Sequence, residues 1–317
     1  GNPMAIHKFR PTIYYTAIGA HEPVLHIESG DTVITTTVDN AGHDEHDQAV
    51  TERGNPQTGP FYIQDAVPGD RLVVHFDRLT PNRKIGRSAT VIAPNVLDPS
   101  YVTSQMPTAG TAEWDIDIDR WTATLISPQT QLGEFMIPLA PMVGCFGVAP
   151  PRGQAISTAT SSTHGGNMDY RGFSQGVTVY LPVFVPGALF YLGDGHAVQG
   201  DGEIVGTGIE ISFNVQFSVQ LIKAHNMNPI GWPRAENTDY LLTAGNARPL
   251  DQALQHATTE LVQWLVELGL EKQSAHILLG QCVEYEVGNV FDPAYTVICK
   301  IKKSILKQAK IWPFQAR

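Results

Sequence analysis

Three cysteines in 317 residues, Cys145, Cys282 and Cys299, are too few and too widely spaced for a disulfide framework or a C-x-x-C thiolate site. They read as reduced thiols of a cytoplasmic protein. No apolar run reaches membrane-spanning length, because the longest, residues 177–192, is interrupted by Pro182 and Pro186. Charge is scarce at 16% of residues, and basic charge is scarcer still, with 21 Lys and Arg against 31 Asp and Glu. A formal net charge of −10 repels nucleic acid and anionic membrane surfaces alike, so both are excluded as partners. The N-terminus has no apolar core of a signal peptide, and Gly1–Pro3 are read as a remnant of the expression vector.

What is present is ordinary globular composition, 42% hydrophobic, over a length that suggests one to three domains. The expected division is an N-terminal β domain over 1–130, a central β region over 131–225 and a C-terminal α+β segment over 226–317. Residues 31–38 and 71–76 are β-branched runs launched from turns, and each predicts a strand. Residues 114–119 alternate strictly and predict a strand that buries Trp114, Ile116 and Ile118. Residues 209–221 give the clearest alternation of all, apolar at odd positions and polar at even ones. After residue 250 the apolar spacing becomes helical, from Leu250 to Leu268, with Pro249 before and Gly269 after. A shorter helix from about Ser274 and a strand over 296–301 follow.

The chemistry concentrates in the central part. Between Asp194 and Glu210 stand two aspartates, two glutamates and His196 among glycines, flanked by apolar runs. Asp194 and His196 are two apart, as are Asp201 and Glu203, so in extended backbone each pair projects from one face. Histidine and carboxylates converging on a glycine-rich loop suit a divalent cation with one position left open. The same string also suits a pair of ordinary tight turns. The polar loop with His43 and His46 reads as solvated, with Asp39 its most interesting member, and Cys145 reads as a small core residue. His164, followed by two glycines, Asn167 and Asp169, forms a second compact polar group.

The run Gly193-Asp-Gly-His-Ala-Val-Gln-Gly-Asp-Gly-Glu203 resembles the G-D-x-H-A-x-x-G-D-G-E signature of the acetamidase/formamidase family. Asn55-Pro-Gln-Thr-Gly-Pro-Phe-Tyr-Ile63, His164-Gly-Gly-Asn-Met-Asp169, Tyr180-Leu-Pro-Val183 and Asn228-Pro-Ile-Gly-Trp-Pro-Arg234 match in the same order. Gly208 departs from the pattern, where alanine is commoner, and residues 83–132 carry no matching motif. The resemblance implies a mainly antiparallel β fold, a sandwich with a barrel-like part and a C-terminal α+β segment. It also implies hydrolysis of a short aliphatic amide, formamide or acetamide, by a homodimer or larger even assembly.

The expected site has His164, Asp194, His196 and Glu210 as ligands of zinc, with calcium possible beside it. Glu203 or Asp201 would move the proton and Asn167 would steady the oxyanion. Two other readings compete: a non-catalytic metal-binding β-sandwich module, and a cysteine amidase built on Cys145.

Overall fold

The computed structural model describes residues 4–312, so the remnant expected at Gly1–Pro3 lies outside the described residues. Two large sheets dominate. The first has nine strands in the order Ile6–Lys8, Thr32–Thr37, Phe213–Ile222, Arg71–Pro81, Thr178–Pro182, Arg234–Glu236, Tyr240–Ala247, Tyr295–Lys302 and Glu284–Asn289. The second has six, in the order Ser161–Ser162, Gly165–Asn167, Met142–Val148, Phe190–His196, Thr58–Ile63 and Leu25–Ile27. Among the described residues all strand pairings but two are antiparallel, the exceptions joining Ile6–Lys8 to Thr32–Thr37 and Leu25–Ile27 to Thr58–Ile63, and no barrel closes.

The alternation at 209–221 explains why the sheets stack. Ile209, Ile211, Phe213, Val215, Phe217 and Val219 are all buried, and they share one core with Phe61, Phe146, Phe190 and Leu192 of the six-stranded sheet. Phe217 meets Phe61 and Phe190 edge-to-face, with ring centroids 5.2 and 5.3 Å away, a geometry favoured by the ring quadrupole. The result is the expected sandwich. The strand Phe213–Ile222 begins later than its pattern, because Ile209–Ser212 leaves the nine-stranded sheet and crosses toward the other. Glu210 forms isolated bridges with both His196 and Arg87.

A four-stranded sheet hangs from this frame, in the order Met136–Pro138, Thr122–Ser127, Thr111–Asp117 and Ile85–Ala89. Ile116 is buried here as expected, but Ile118 is 48% exposed. The strand ends at Asp117, whose carboxylate accepts the N–H groups of Asp119 and Arg120 in a turn, so the alternation stops before Ile118.

The helix at Leu250–Glu267 buries Ala253, Ala257, Leu261, Trp264 and Leu265 against Leu241, Cys299 and Ile301 of the nine-stranded sheet. Leu254 points outward instead, at 37% exposure. Gly269, at φ +114°, ends the helix where a side chain would be strained. Another helix spans Lys272–Cys282, and two short ones that the sequence pattern did not announce span Pro99–Ser104 and Lys303–Gln308. No helix among the described residues is long and apolar enough to cross a membrane.

Candidate metal and amidase centre

The Phe190–His196 strand delivers Asp194 and His196 to the rim of the six-stranded sheet, and the bridge from His196 to Glu210 brings the third group in. Glu203 arrives on a tight turn closed by its N–H to Gly200 O and its O to the Gly206 N–H. Asp194 and Glu203 adopt φ of +57° and +50°, in the left-handed region that side chains seldom occupy and that recurs at functional sites. Asp169 enters from the neighbouring hairpin, its N–H bonded to Gly144 O. Gly144 leaves the room: a Cβ there would stand 2.5 Å from Asp169 Oδ1 and 2.6 Å from Asp194 Oδ2.

At the centre is the His196 ring, fully buried. Its Nε2 lies 2.6 Å from Glu210 Oε2 and 3.0 Å from Asp194 Oδ1, and 3.9 Å from Asp169 Oδ1. Its Nδ1 faces Gln199 Oε1 at 2.9 Å, with Glu203 Oε2 at 3.9 Å. Ligand atoms of Asp194, His196 and Glu210 fall within 4.8 Å of one another, and so do those of Asp169, His196 and Glu203. These buried acidic and imidazole groups could hold a metal ion.

Five carboxyls crowd this spot, and Asp169, Asp194, Glu203, Glu210 and Asp292 are each 5% exposed or less. Burial raises Asp169, Glu203 and Asp292 well above the usual carboxylate range, and their mutual repulsion adds to it at each. Glu210 is pushed up to about 8 by burial and by Asp194, against the pull of His196. Burial opposes ionisation of Asp194 too, but the charge and hydrogen bond of His196 hold it low. Burial would likewise lower His196, yet Glu210 and Asp194 outweigh it and raise the imidazole.

A divalent cation fits this donor set. One oxygen of Asp169 and one of Asp292 find no hydrogen-bond partner. Uncompensated buried carboxylates are costly, and a cation is the ordinary remedy. The orientation of Gln199 is fixed because its Nε2 donates to Asp169 O at 2.6 Å, which turns Oε1 toward His196. Nδ1 must then carry a hydrogen, so Nε2, which shares a hydrogen with Asp194 and Glu210 when no cation is bound, is the ring atom that would offer its lone pair to a metal.

The sequence-based assignments need corrections here. His164 is not brought to this group: Val148 N donates to its carbonyl, while His196 pairs with Met142 at the opposite end of the same strand. At about 3.3 Å per residue, six residues of strand put them roughly 20 Å apart. The His164 ring is fully buried with both nitrogens unpartnered, and burial pushes it down to about 4. Asp201 is also excluded, since it lies on the outer side of its turn, largely exposed and paired with Arg171 Nε at 2.8 Å. Asn167 is buried, but its amide accepts from Asn55 at 3.3 Å and donates to Ala159 O at 3.4 Å, apart from the carboxylates.

Sequence reasoning missed Gln199 and Asp292. Gln199 sits inside the quoted motif and was signalled only by its spacing of three from His196. Asp292 comes from a C-terminal turn with no local signature, anchored by its N–H to Asn289 Oδ1 at 3.0 Å, and Asn289 in turn donates to Met168 O. In the sequence Asp169 is only one carboxylate among several, and nothing local distinguishes it. Elsewhere, Asp39 proves structural: it bonds the N–H groups of Ala41 and His43 and pairs with buried Arg83 at 2.9 Å. Cys145 is fully buried, and burial together with Asp194 and Asp169 pushes its thiol well up, the opposite of what a nucleophile needs.

Residues 152–308 match the Acetamidase/Formamidase family. The acetamidase of Mycolicibacterium smegmatis is 30% identical, over 70% of this chain and 72% of that protein. The formamidase of Methylophilus methylotrophus is also 30% identical, over 44% of this chain and 39% of its own length. In structure, the acetamidase from Yersinia enterocolitica superposes with a TM-score of 0.82 at 32% identity, covering 96% of this chain and 94% of that one. A β-sandwich that presents buried carboxylates and an imidazole from the shared motif, and that aligns over nearly its whole length with an acetamidase, belongs to the acetamidase/formamidase family of amidohydrolases.

Proposed function

We propose that this protein hydrolyses a short linear amide, formamide or acetamide, to the carboxylate and ammonia in a metal-dependent reaction. The observation that carries the reading is the His196 environment: Nδ1 bonded to an oriented Gln199, and Nε2 aimed between Asp194 and Glu210. Asp194, His196 and Glu210 would hold the ion, and the mixed nitrogen and oxygen set favours zinc. Asp169 and Glu203 supply further oxygens, the chemistry calcium prefers. When bound, such an ion acidifies a water and polarises the amide carbonyl.

The chain's own groups must then move the proton. Glu203 is buried, faces His196, and has a carboxyl raised by burial and by the neighbouring carboxylates, so it is disposed to take up a proton. It takes the proton from the attacking water and returns it to nitrogen, because an amide leaves readily only as the protonated amine. Burial raises both Asp169 and Asp292, so a proton held on either carboxyl would keep that side of the pocket from accumulating charge.

The test is ammonia release from formamide and acetamide before and after exhaustive chelation, with metal content measured in parallel. Loss of activity and of bound zinc together, both restored by added zinc, is the expected result. Full activity in protein shown to be metal-free would defeat the proposal.

A further inference from the structure

Five carboxyls meet around His196, and among the described residues none of them is paired with a lysine or an arginine. Elsewhere this chain holds buried carboxylates with arginine, as Arg83 does Asp39 and Arg234 does Glu260. A guanidinium at the centre would neutralise the oxygens that a cation needs, so the loops that carry them have to be held together without charge. Three of those loops, with Asp169, Glu203 and Asp292, come from well-separated parts of the chain, and ionised carboxylates push one another apart.

All three are fastened at one place. Asn289 ends the strand Glu284–Asn289 and is fully buried, and a register shift after Val287 sets it opposite Thr296 of the strand Tyr295–Lys302. Its Oδ1 accepts the N–H groups of Phe291 at 3.2 Å and of Asp292 at 3.0 Å. Its Nδ2 donates to the carbonyl of Met168, immediately before Asp169, at 2.9 Å, and to Thr296 Oγ1 at 3.1 Å. Because Nδ2 points at a carbonyl, the amide can sit only one way round. Asn289 also forms a parallel bridge with Gly202: Gly202 N faces the carbonyls of Val287 and Gly288, and Val290 N donates to Gly202 O at 2.9 Å. The residue before Glu203 is thereby stapled to the same turn.

The bonds continue beyond Asn289. Thr296 Oγ1 donates to Asn246 Oδ1 at 2.8 Å, and Asn246 Nδ2 donates to Ser162 O at 3.0 Å, which catches the far end of the hairpin leading to Asp169. Asn246, Asn289 and Thr296 are each 4% exposed or less. A buried polar network of this kind, with every member bonded, fixes geometry more than it adds stability.

We infer that Asn289 is a positioning residue of the amidase centre: its carboxamide sets the spacing of Asp169, Glu203 and Asp292, and does so without charge, so that their oxygens stay free for a cation. The inference rests on the amidase reading given above. Asp194, His196 and Glu210 are brought in by the strand Phe190–His196 and the crossing segment, and they receive no bond from Asn289. Loss of Asn289 therefore acts on the Asp169 and Glu203 side and spares the residues assigned to zinc.

The experiment compares Asn289→Ala and the near-isosteric Thr296→Val with the parent in bound zinc, in steady-state kinetics with formamide, and in amide hydrogen exchange of the metal-free protein over residues 163–170, 200–206 and 288–293. In Asn289→Ala, kcat is expected to fall by about 10- to 100-fold, as for outer partners of a metal site, with KM and zinc content held. Exchange is expected to quicken by about tenfold in all three segments together, the effect of about one lost hydrogen bond on local opening. Thr296→Val keeps the bonds to Met168 and Asp292 and is expected to show the same pattern at about threefold. A parental kcat in folded Asn289→Ala overturns the inference and leaves the amidase reading standing. So does faster exchange confined to residues 288–293, or a parallel loss of zinc. Should Asn289→Ala fail to fold, Thr296→Val with parental kcat and parental exchange over 163–170 overturns it equally. A parent that turns over no amide, in which Asn289→Ala still quickens all three segments, defeats the amidase reading while Asn289 keeps its hold on the carboxyls.

Discussion

Gln199→Leu isolates the contact on which the metal reading turns. Gln199 is 3% exposed and makes two bonds, accepting from His196 Nδ1 at 2.9 Å and donating to Asp169 O at 2.6 Å. Leucine keeps most of the volume and removes both. Without an acceptor on Nδ1, the imidazole is free to place its hydrogen on Nε2, the atom between Asp194 and Glu210, and each metal-binding event must first reverse that choice. Loss of such an outer partner of a ligating histidine costs about 10- to 100-fold in metal affinity, the equivalent of about 1.4–2.8 kcal/mol. The carbonyl of Asp169, left unpaired, destabilises the metal-free protein by about 1–3 kcal/mol. The assay is the zinc dissociation constant, measured by competition with a chromophoric chelator at pH 7.5, beside chemical denaturation of the metal-free form. A dissociation constant within twofold of the parent would show that His196 does not present Nε2 to the ion, and the reasoning would fail.

Other outcomes follow from the same geometry. Gly144→Ala places a methyl where Asp169 and Asp194 oxygens now stand, and displacement of a reacting group by about 1 Å costs about 100-fold in rate; kcat/KM for formamide and zinc content should fall together. Glu260, buried at 1% exposure, accepts from Gly231 N, Trp232 N and Arg234 Nε, so Glu260→Ala removes one of the two carboxylates on the buried Arg234 guanidinium, which keeps Glu267, and should cost about 1.5–3 kcal/mol in urea denaturation. His164 stays neutral in the folded protein down to about pH 4, whereas in the unfolded chain it protonates near its ordinary value of 6.5. The unfolded state thus binds more protons below pH 6.5, and stability falls as pH drops through that window, by about 2 kcal/mol at pH 5. His164→Phe removes the titration, and the difference in denaturation free energy between pH 7 and pH 5 should shrink by that amount. Arg87 and His43 hold Asp47 well below the usual carboxylate range, so its contribution to stability is full above about pH 4 and is lost on acidification below that; Asp47→Asn should flatten the acid limb of a thermal-stability profile.

The strands of the sandwich were legible because burial on one face writes period two into the residues. The 209–221 run shows it best, with every apolar position from Ile209 to Val219 inside. The same run shows where period fails as a guide. Glu210 and Ser212 belong to the polar set, yet both are buried, because this stretch crosses between sheets, where Glu210 meets His196 and Ser212 donates to Asn82 Oδ1. Alternation reports which side a residue is on, and not whether that side meets water. Ile118 errs for the converse reason: the pattern continued past the point where Asp117 had already turned the chain.

Ligand sets are harder to read, since they are assembled by register between strands distant in sequence. His164 and His196 look equivalent as motifs, each a histidine in a glycine-rich run beside carboxylates. Antiparallel pairing through Met142–Val148 sends them to opposite ends of one strand, and a histidine side chain cannot span that gap. Asp169 is only five residues beyond His164, but its N–H pairs with Gly144, two residues from where Met142 meets His196, and that shift along the ladder admits it to the site. The glycines at 144, 165, 166 and 193 permit this close layering of polar backbone, which is why the motif is so rich in them and why its glycines alone could not distinguish turn from centre. The carboxylate proposed to move the proton is distinguished by the same mechanics: Asp201 and Glu203 are two apart, but the turn closed between Glu203 and Gly206 points one at Arg171 in solvent and the other at His196 in the core. Exchange of the two roles by Glu203→Gln and Asp201→Asn should therefore be strongly unequal, the first removing most of kcat and the second leaving it within about threefold, as expected for a surface substitution.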